Sequence, residues 1–252
     1  MRIVVIGGTG NVGTALLDAL RREGDEVVAV SRRRPEDSRG ARWVGADVVT
    51  DDLVPHLRGA EVCVHLAWLI QPSRERQVLW RTNVEGTSRV AQAVVEAGVP
   101  SFVVASSVGA YSPGPPEGRV DESWPTGGVR PNAYSLQKAQ VERLLDRLEK
   151  ERPELRVVRM RPALVFGRGA ASGIRRLFAG PLVPSPLVRR GLLPVLPDPG
   201  LRLQAVHRDD LAEAYRAAVY GDVRGAFNVA AEPTLDGPAL ARVIGARRVA
   251  VP

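Results

Sequence analysis

A chain of 252 residues with 44% hydrophobic and 25% charged side chains has the size and balance of one large globular α/β domain, with room for a small appended lobe. Its net charge of +7 is carried by arginines spread along the chain beside acids, as in Arg21, Arg22, Glu23 and Asp25, and only Lys138 and Lys150 are lysines. That spread argues against the concentrated basic patch of a nucleic-acid binder. No apolar run of about eighteen residues occurs, and residues 1–6 lack the layout of a secretory leader, so neither a membrane span nor export is expected. Cys63 stands alone and cannot close an internal disulfide, which fits a reducing cytoplasm. His56, His65 and His207 have no Cys or carboxylate partner at ligand spacing, so no metal site is expected.

Short apolar runs then alternate with helical periodicity. Strands are predicted at residues 2–6, 26–30, 41–45, 62–66, 102–105 and 156–160. Helices are predicted at 12–23, 51–57, 75–97 and 134–151. Alternation of this kind argues a doubly wound parallel sheet with helices on both faces. Residues 62–66 and 102–105 are continuously apolar, as strands covered on both sides should be. After residue 167 the character changes. Pro181, Pro184, Pro186, Pro194, Pro197 and Pro199 defeat long helices and central strands and point to a loop or part of a covering lobe. A helix at 211–220 and a strand at 226–229 follow. The expected division is a dinucleotide-binding domain at 1–167 and a small, shortened C-terminal substrate lobe at 168–252, with 203–230 returning to the core.

The first strand runs into Gly7-Gly8-Thr9-Gly10-Asn11-Val12-Gly13 and then into a helix. Gly7 permits the tight turn, Gly10 lets backbone approach a pyrophosphate, and Gly13 allows close helix packing. The helix aims unpaired N–H groups and its positive dipole end at the phosphates, and Thr9 and Asn11 either hold the turn or donate to phosphate. In this strand–turn–helix context the glycines read as a Rossmann-like nicotinamide-dinucleotide site. The second strand ends in Ser31-Arg32-Arg33-Arg34, without the acid that holds an NAD ribose. Arg32 suits a 2′-phosphate, so NADP is preferred over NAD. Asp47, followed by Val48, either accepts from the adenine amino group or caps a surface helix.

Tyr134 and Lys138 stand four apart and share one helix face. A nearby ammonium is expected to lower the phenol pKa and make Tyr134 a usable acid or base. Ser106 and Ser107 end the apolar strand at 102–105, where a hydroxyl either serves the strand-end turn or donates to a substrate oxygen. Trp68 and Trp124 either line an apolar pocket or pack ordinarily.

Taken together these stretches resemble the extended short-chain dehydrogenase/reductase superfamily, specifically its NAD-dependent epimerase/dehydratase family. The matching residues are those of the glycine turn, His65-Leu66-Ala67, Asn83-Val84-Glu85-Gly86-Thr87, Ser106-Ser107 through Tyr111, Tyr134 with Lys138, Arg161 through Gly167, and His207 through Ala212. The resemblance implies Tyr134 as catalytic acid/base, Lys138 as its partner and Ser107 as donor to the substrate oxygen. It implies that Leu66 and Ala67 line the cofactor, that Asn83 stands behind the nicotinamide, and that Pro162 and Val165 border it. His207 and Asp210 would support the second lobe. It also implies a homodimer built on the helices at 75–97 and 134–151, and a small-molecule substrate. Family members that bind nucleotide sugars carry an arginine where this chain has Leu203, and typical relatives continue past the position of Pro252. The expected activity is hydride transfer at a carbinol or ketone carbon. The alternatives are a nucleotide-sugar epimerase or dehydratase, and a non-catalytic NADP sensor.

Overall fold

In the computed structural model, which describes residues 1–70, 75–115, 118–167, 202–236 and 238–239, the valine- and isoleucine-rich runs build a seven-stranded sheet. Its strands are β1 (Arg2–Ile6), β2 (Glu26–Ser31), β3 (Arg42–Gly45), β4 (Val62–His65), β5 (Ser101–Ala105), β6 (Arg156–Pro162) and β9 (Gly225–Val229). They lie in the order β3-β2-β1-β4-β5-β6-β9, and every neighbouring pair is parallel. From β1 the chain steps outward through β2 and β3, then crosses back to β4 and beyond. Such a switch point leaves a crevice outside the carboxyl ends of the strands. Register decides what lines it. Ile6 pairs with both Val30 and His65, His65 with Val104, and Ala105 with Met160. Gly7, Ser31, Leu66, Ser106 and Pro162 therefore all leave the sheet at the same edge.

The strand period of two explains the burial. Val4, Ile6, Val28, Val30, Phe102 and Val104 join one core cluster with Val90, Val94, Val141 and Leu145. The alternate residues Ile3, Val5, Val27, Ala29 and Val103 are buried as well. Both faces are thus covered, as an all-parallel sheet requires. The helices are α1 (Asn11–Leu20), α2 (Val54–Leu57), α3 (Arg76–Trp80), α4 (Gly86–Glu96), α5 (Ala133–Glu151) and α6 (Arg208–Tyr220). The single helix predicted over 75–97 is interrupted by a π turn at Arg81–Glu85, which holds the buried Asn83. Wider turns of this kind occur mostly where a helix serves a site.

Two compact units divide the chain. The first is Met1–Pro162 with Asp209–Val229, and the second is Ala163–Arg208 with Ala230–Pro252. In the second, β7 (Leu164–Phe166), β8 (Arg202–His207) and β10 (Ala231–Asp236) form a small sheet in the order β10-β8-β7. β8 is parallel to β7 and antiparallel to β10. The sequence predicts none of these three strands: β7 has only three residues, and the Ala-Glu-Pro start of β10 gives little strand signal. The proline-rich stretch at 180–200 lies outside the described residues. Among the described residues, no helix is long and apolar enough to cross a membrane, and no cluster of three His, Cys, Asp or Glu could hold a metal ion.

Candidate active site

The glycine turn is built by close contacts. Gly7 has φ +92°, a conformation that side chains resist, and its N–H donates to the Val30 carbonyl at 2.8 Å. A Cβ on Gly7 would stand 2.6 Å from the Ala67 amide nitrogen, so only glycine lets β1 turn against the segment after β4. A Cβ on Gly13 would collide with the Gly7 carbonyl oxygen, which makes Gly13 a partner of the turn itself. Gly8, to which the sequence reading gave no task, lies against Trp43, Ala29 and Leu17. Gly10 precedes α1, and no side chain caps that helix. The Asn11 Oδ1 is buried without a hydrogen-bond partner among the described residues. Thr14 turns its hydroxyl back onto the Gly10 carbonyl at 3.0 Å, while Thr9 is exposed at the tip and Val12 is half-buried. An uncapped helix start behind a glycine-rich turn fits a dinucleotide pyrophosphate.

At the end of β2, Ser31 is buried and hydrogen bonds the Arg33 carbonyl at 2.5 Å. Arg32 is exposed and has no ion-pair partner among the described residues. Asp47 Oδ1 accepts from the Val49 N–H at 2.8 Å, a local turn that engages one of its oxygens. Val48 is buried, and its side chain packs against Gly86 at the start of α4.

Tyr134 and Lys138 stand on one helix, and Ser107 hydrogen bonds to Tyr134. The Ser135 hydroxyl, next in chain, donates to the Gly109 carbonyl at 2.6 Å and draws the start of α5 onto the turn after β5. The Tyr134 ring then lies on Gly109, where a Cβ would be 3.1 Å from Cε1. Ser107 Oγ accepts from the Gly109 N–H at 3.0 Å, which leaves its own hydrogen to donate elsewhere. Ser106 differs: its hydroxyl is committed to the Glu142 carboxylate.

The electrostatics depart from expectation. Burial raises the Tyr134 phenol above its ordinary value, and the Ser107 hydrogen bond pulls the other way. Lys138 does not lower it, its ammonium being engaged by other partners. Nζ donates to the Ala105 carbonyl at 2.7 Å and lies 3.4 Å from the centre of the Trp68 ring, against 5.9 Å for the Tyr134 ring. Burial pushes Lys138 down to about 7, opposed by Glu142. Burial, then Lys138, pushes His65 down to about 3. The Thr87 hydroxyl donates to the Asn83 carbonyl at 2.7 Å, so the His65 Nε2 contact at 2.9 Å is its N–H donating to Thr87.

The supporting residues were less legible. Glu142, one turn beyond Lys138, is fully buried and accepts from Arg161 at 2.9 Å through two nitrogens and from Arg159 at 3.0 Å. Arg161 also donates to the Tyr111 hydroxyl at 2.9 Å, which donates to Asn228 at 2.7 Å. The one sequence signal was an acid between the apolar Val141 and Leu145 of an inward-facing stripe. Asn83 accepts from the Leu69 N–H at 2.7 Å and donates at 2.8 Å to both the Leu69 carbonyl and Gln137. It therefore fixes the segment after β4 against α5. Leu66 continues β4 through an N–H bond to the Ile6 carbonyl at 2.8 Å, Ala67 backs onto Gly7, and Pro162 ends β6 opposite Val229. Val165 is held in β7 of the second unit.

A doubly wound parallel sheet with a glycine turn at its switch point, and Tyr134, Lys138 and Ser107 at the same edge, place the chain in the Rossmann-like fold class. The chain belongs to the NAD dependent epimerase/dehydratase family, whose model matches residues 3–230. It is 32% identical over 174 residues to a 4-hydroxy-2-methyl-3-oxo-4-farnesyl-3,4-dihydroquinoline-1-oxide ketoreductase of Stigmatella aurantiaca, covering 66% of this chain and 51% of that protein. It is 28% identical over 249 residues to an uncharacterized protein of Mycobacterium tuberculosis, covering 97% of this chain and 23% of the relative. The chain thus spans about half the length of the first of these relatives and about a quarter of the second. Among solved structures it is similar to MoeE5 in complex with UDP-glucose and NAD, with 27% identity and a TM-score of 0.77, covering 97% of this chain and 81% of that one.

The lowered Lys138 makes a stability prediction. Between about pH 7, its folded value, and its ordinary 10.5, the unfolded chain holds a proton that the folded chain has released. Wild-type stability relative to Lys138→Met should therefore rise with pH across that window and stay flat below it. Urea denaturation of both proteins from about pH 6 to about pH 10 measures this, and a difference that is flat throughout contradicts the desolvated ammonium.

Proposed function

We propose that this protein is an NAD(P)-dependent oxidoreductase that transfers a hydride between nicotinamide and a carbinol or ketone carbon. The observation that carries the reading is the Ser107–Gly109–Tyr134 arrangement beside Lys138 at the edge where the glycine turn opens. When bound, the cofactor supplies or accepts the hydride. Gly7, Gly10, Asn11, Val12 and Gly13 would hold its pyrophosphate on the start of α1, with Leu66 and Ala67 beside it. The chain's own residues do the rest. Ser107, already fixed by the Gly109 N–H, donates its hydrogen to the substrate oxygen. Tyr134 moves the hydroxyl proton, and Lys138, once turned from Ala105 toward the site, favours the phenolate. Asn83, Ser106 and Glu142 act by positioning. The ketoreductase relative supports net reduction of a ketone. The likeness to MoeE5 supports a second reading, a nucleotide-sugar epimerase, which shares the same half-reaction.

Tyr134→Phe removes the movable proton and leaves the ring on Gly109. Its turnover with a panel of ketones and nucleotide sugars should fall by about a thousandfold, with cofactor affinity near wild type. If both proteins bind cofactor and neither turns over any member of the panel, the enzyme reading fails in favour of a cofactor sensor.

We infer a preference for NADP from Arg32, exposed and free of ion pairing among the described residues, at the end of β2. Its guanidinium suits a 2′-phosphate, and no acid stands there to hold a ribose hydroxyl. Arg32→Ala should weaken NADPH by about tenfold and leave NADH nearly unchanged in calorimetric titration. Equal losses for the two would contradict this.

The outer faces of α4 and α5 leave a groove lined by Ala91, Val95, Leu144 and Leu148, flanked by Glu96 and Arg147. An apolar strip with both charge signs at its border suits a two-fold copy of itself, which supports a homodimer. Leu148→Asp should convert a sedimenting dimer to monomer. A wild-type chain that sediments as a monomer at all concentrations would contradict the dimer.

A further inference from the structure

The residue that the proposed reaction does not yet use is Trp68. It follows Ala67, whose backbone touches Gly7 of the phosphate turn, and its ring reaches Lys138 and Tyr134. Trp68 thus bridges the interval between the turn and the proton-transfer pair. A dinucleotide with its pyrophosphate on the turn and its reacting ring near Tyr134 would have this segment beside it.

Trp68 is held from three sides. Lys138 Nζ lies over one face, 3.4 Å from the ring centre. The Tyr134 ring meets it edge-on, at 5.9 Å between centroids and 79° between planes. The next residue, Leu69, is clamped at both its N–H and its carbonyl by Asn83. Two independent elements, the π turn through Asn83 and α5 through Lys138 and Tyr134, therefore fix one indole.

That indole has an unmet requirement. Its Nε1–H is buried and has no acceptor among the described residues. The other tryptophans differ. Trp43 donates to the Ser38 carbonyl at 2.8 Å and Trp124 to the Ser112 carbonyl at 3.3 Å, so Trp124 serves its own loop. Trp80 is exposed to water. Buried donors without acceptors are rare, because each forfeits its hydration for nothing. An indole is a donor only, so its missing partner must be an acceptor.

We infer that Trp68 is a cofactor-contacting residue whose indole N–H donates to an oxygen on the nicotinamide riboside half of the dinucleotide, while its ring face carries the Lys138 ammonium. The inference rests on the cofactor reading above. The oxygen belongs either to the ribose or to the carboxamide. Both present the same acceptor chemistry, and the probes below separate them.

Trp68→Phe deletes the N–H and keeps an aromatic face for Lys138. Calorimetric titration of wild type and this variant with NADPH, NADH, ADP-ribose and ADP tests the inference without any turnover. The variant should bind both dinucleotides about tenfold more weakly and ADP as wild type does. A loss shared by ADP-ribose assigns the acceptor to the ribose, and a loss confined to the dinucleotides assigns it to the carboxamide. Dinucleotide affinity equal to wild type overturns the inference and leaves the N–H to a bound water. An equal loss for ADP also overturns it, because the substitution would then act through the turn. A wild-type chain that binds ADP but neither dinucleotide refutes the cofactor reading itself, a result distinct from either.

Discussion

One buried carboxylate ties the reaction edge of the sheet together. Glu142 has no exposed surface, and an isolated charge there would cost several kcal/mol. Burial alone would push its carboxyl up, yet the Arg161, Ser106 and Arg159 contacts hold it below its ordinary value. Satisfying this one group fixes four elements at once. It brings α5 to β6 through Arg159 and Arg161, and to the end of β5 through Ser106. Arg161 then reaches Tyr111, which bonds Asn228 on β9. Tyr134 and Lys138 ride on the helix so anchored, and Ser107 follows the residue so bound. Arg159 Nε is buried without a partner among the described residues, but both Glu142 oxygens are paired, so a shift of this edge would break several buried hydrogen bonds at once.

A second constraint acts across the switch point. The backbone of Gly7 and that of Ala67 approach too closely for any side chain, which welds the phosphate turn to the segment after β4. Asn83 clamps that same segment to α5 through Leu69 and Gln137. The turn and the Tyr134 helix are therefore joined by a short rigid path, Gly7 to Ala67 to Leu69 to Asn83 to Gln137. Under the proposed function, binding at one end and proton transfer at the other would need fixed separation, which this path would supply.

Most of the central sheet was legible because its signals are local. Alternating apolar runs and helical periodicity gave all seven strands and the main helices to within a few residues, apart from the π turn at Arg81–Glu85. Gly7, Gly10 and Gly13 were legible from their place between a strand and a helix, and the Tyr134–Lys138 pair from the helical repeat. The supporting shell was not. Glu142, Arg161 and Tyr111 are distant in sequence, and Asn83 and Leu69 meet only because β4 and the π turn are brought together. Ser106 and Ser107 looked alike, and only their partners, Glu142 for one and Gly109 for the other, separate their roles. The direction of the Tyr134 shift was also misread, since Lys138 prefers the Ala105 carbonyl and the Trp68 ring to the phenol.

By itself the sequence determined the parallel sheet, the glycine turn at its switch point and the placing of Tyr134 and Lys138 on one helix. These depend on the local conformational preferences of glycine, on periodicity and on the four-residue repeat of a helix. Only the tertiary structure decided where the ammonium of Lys138 lies, which serine is held by Glu142 and which by Gly109, and that the Trp68 N–H is left buried beside Lys138 and Tyr134. Hydrogen-bond partnership and desolvation depend on neighbours that the chain order does not bring together.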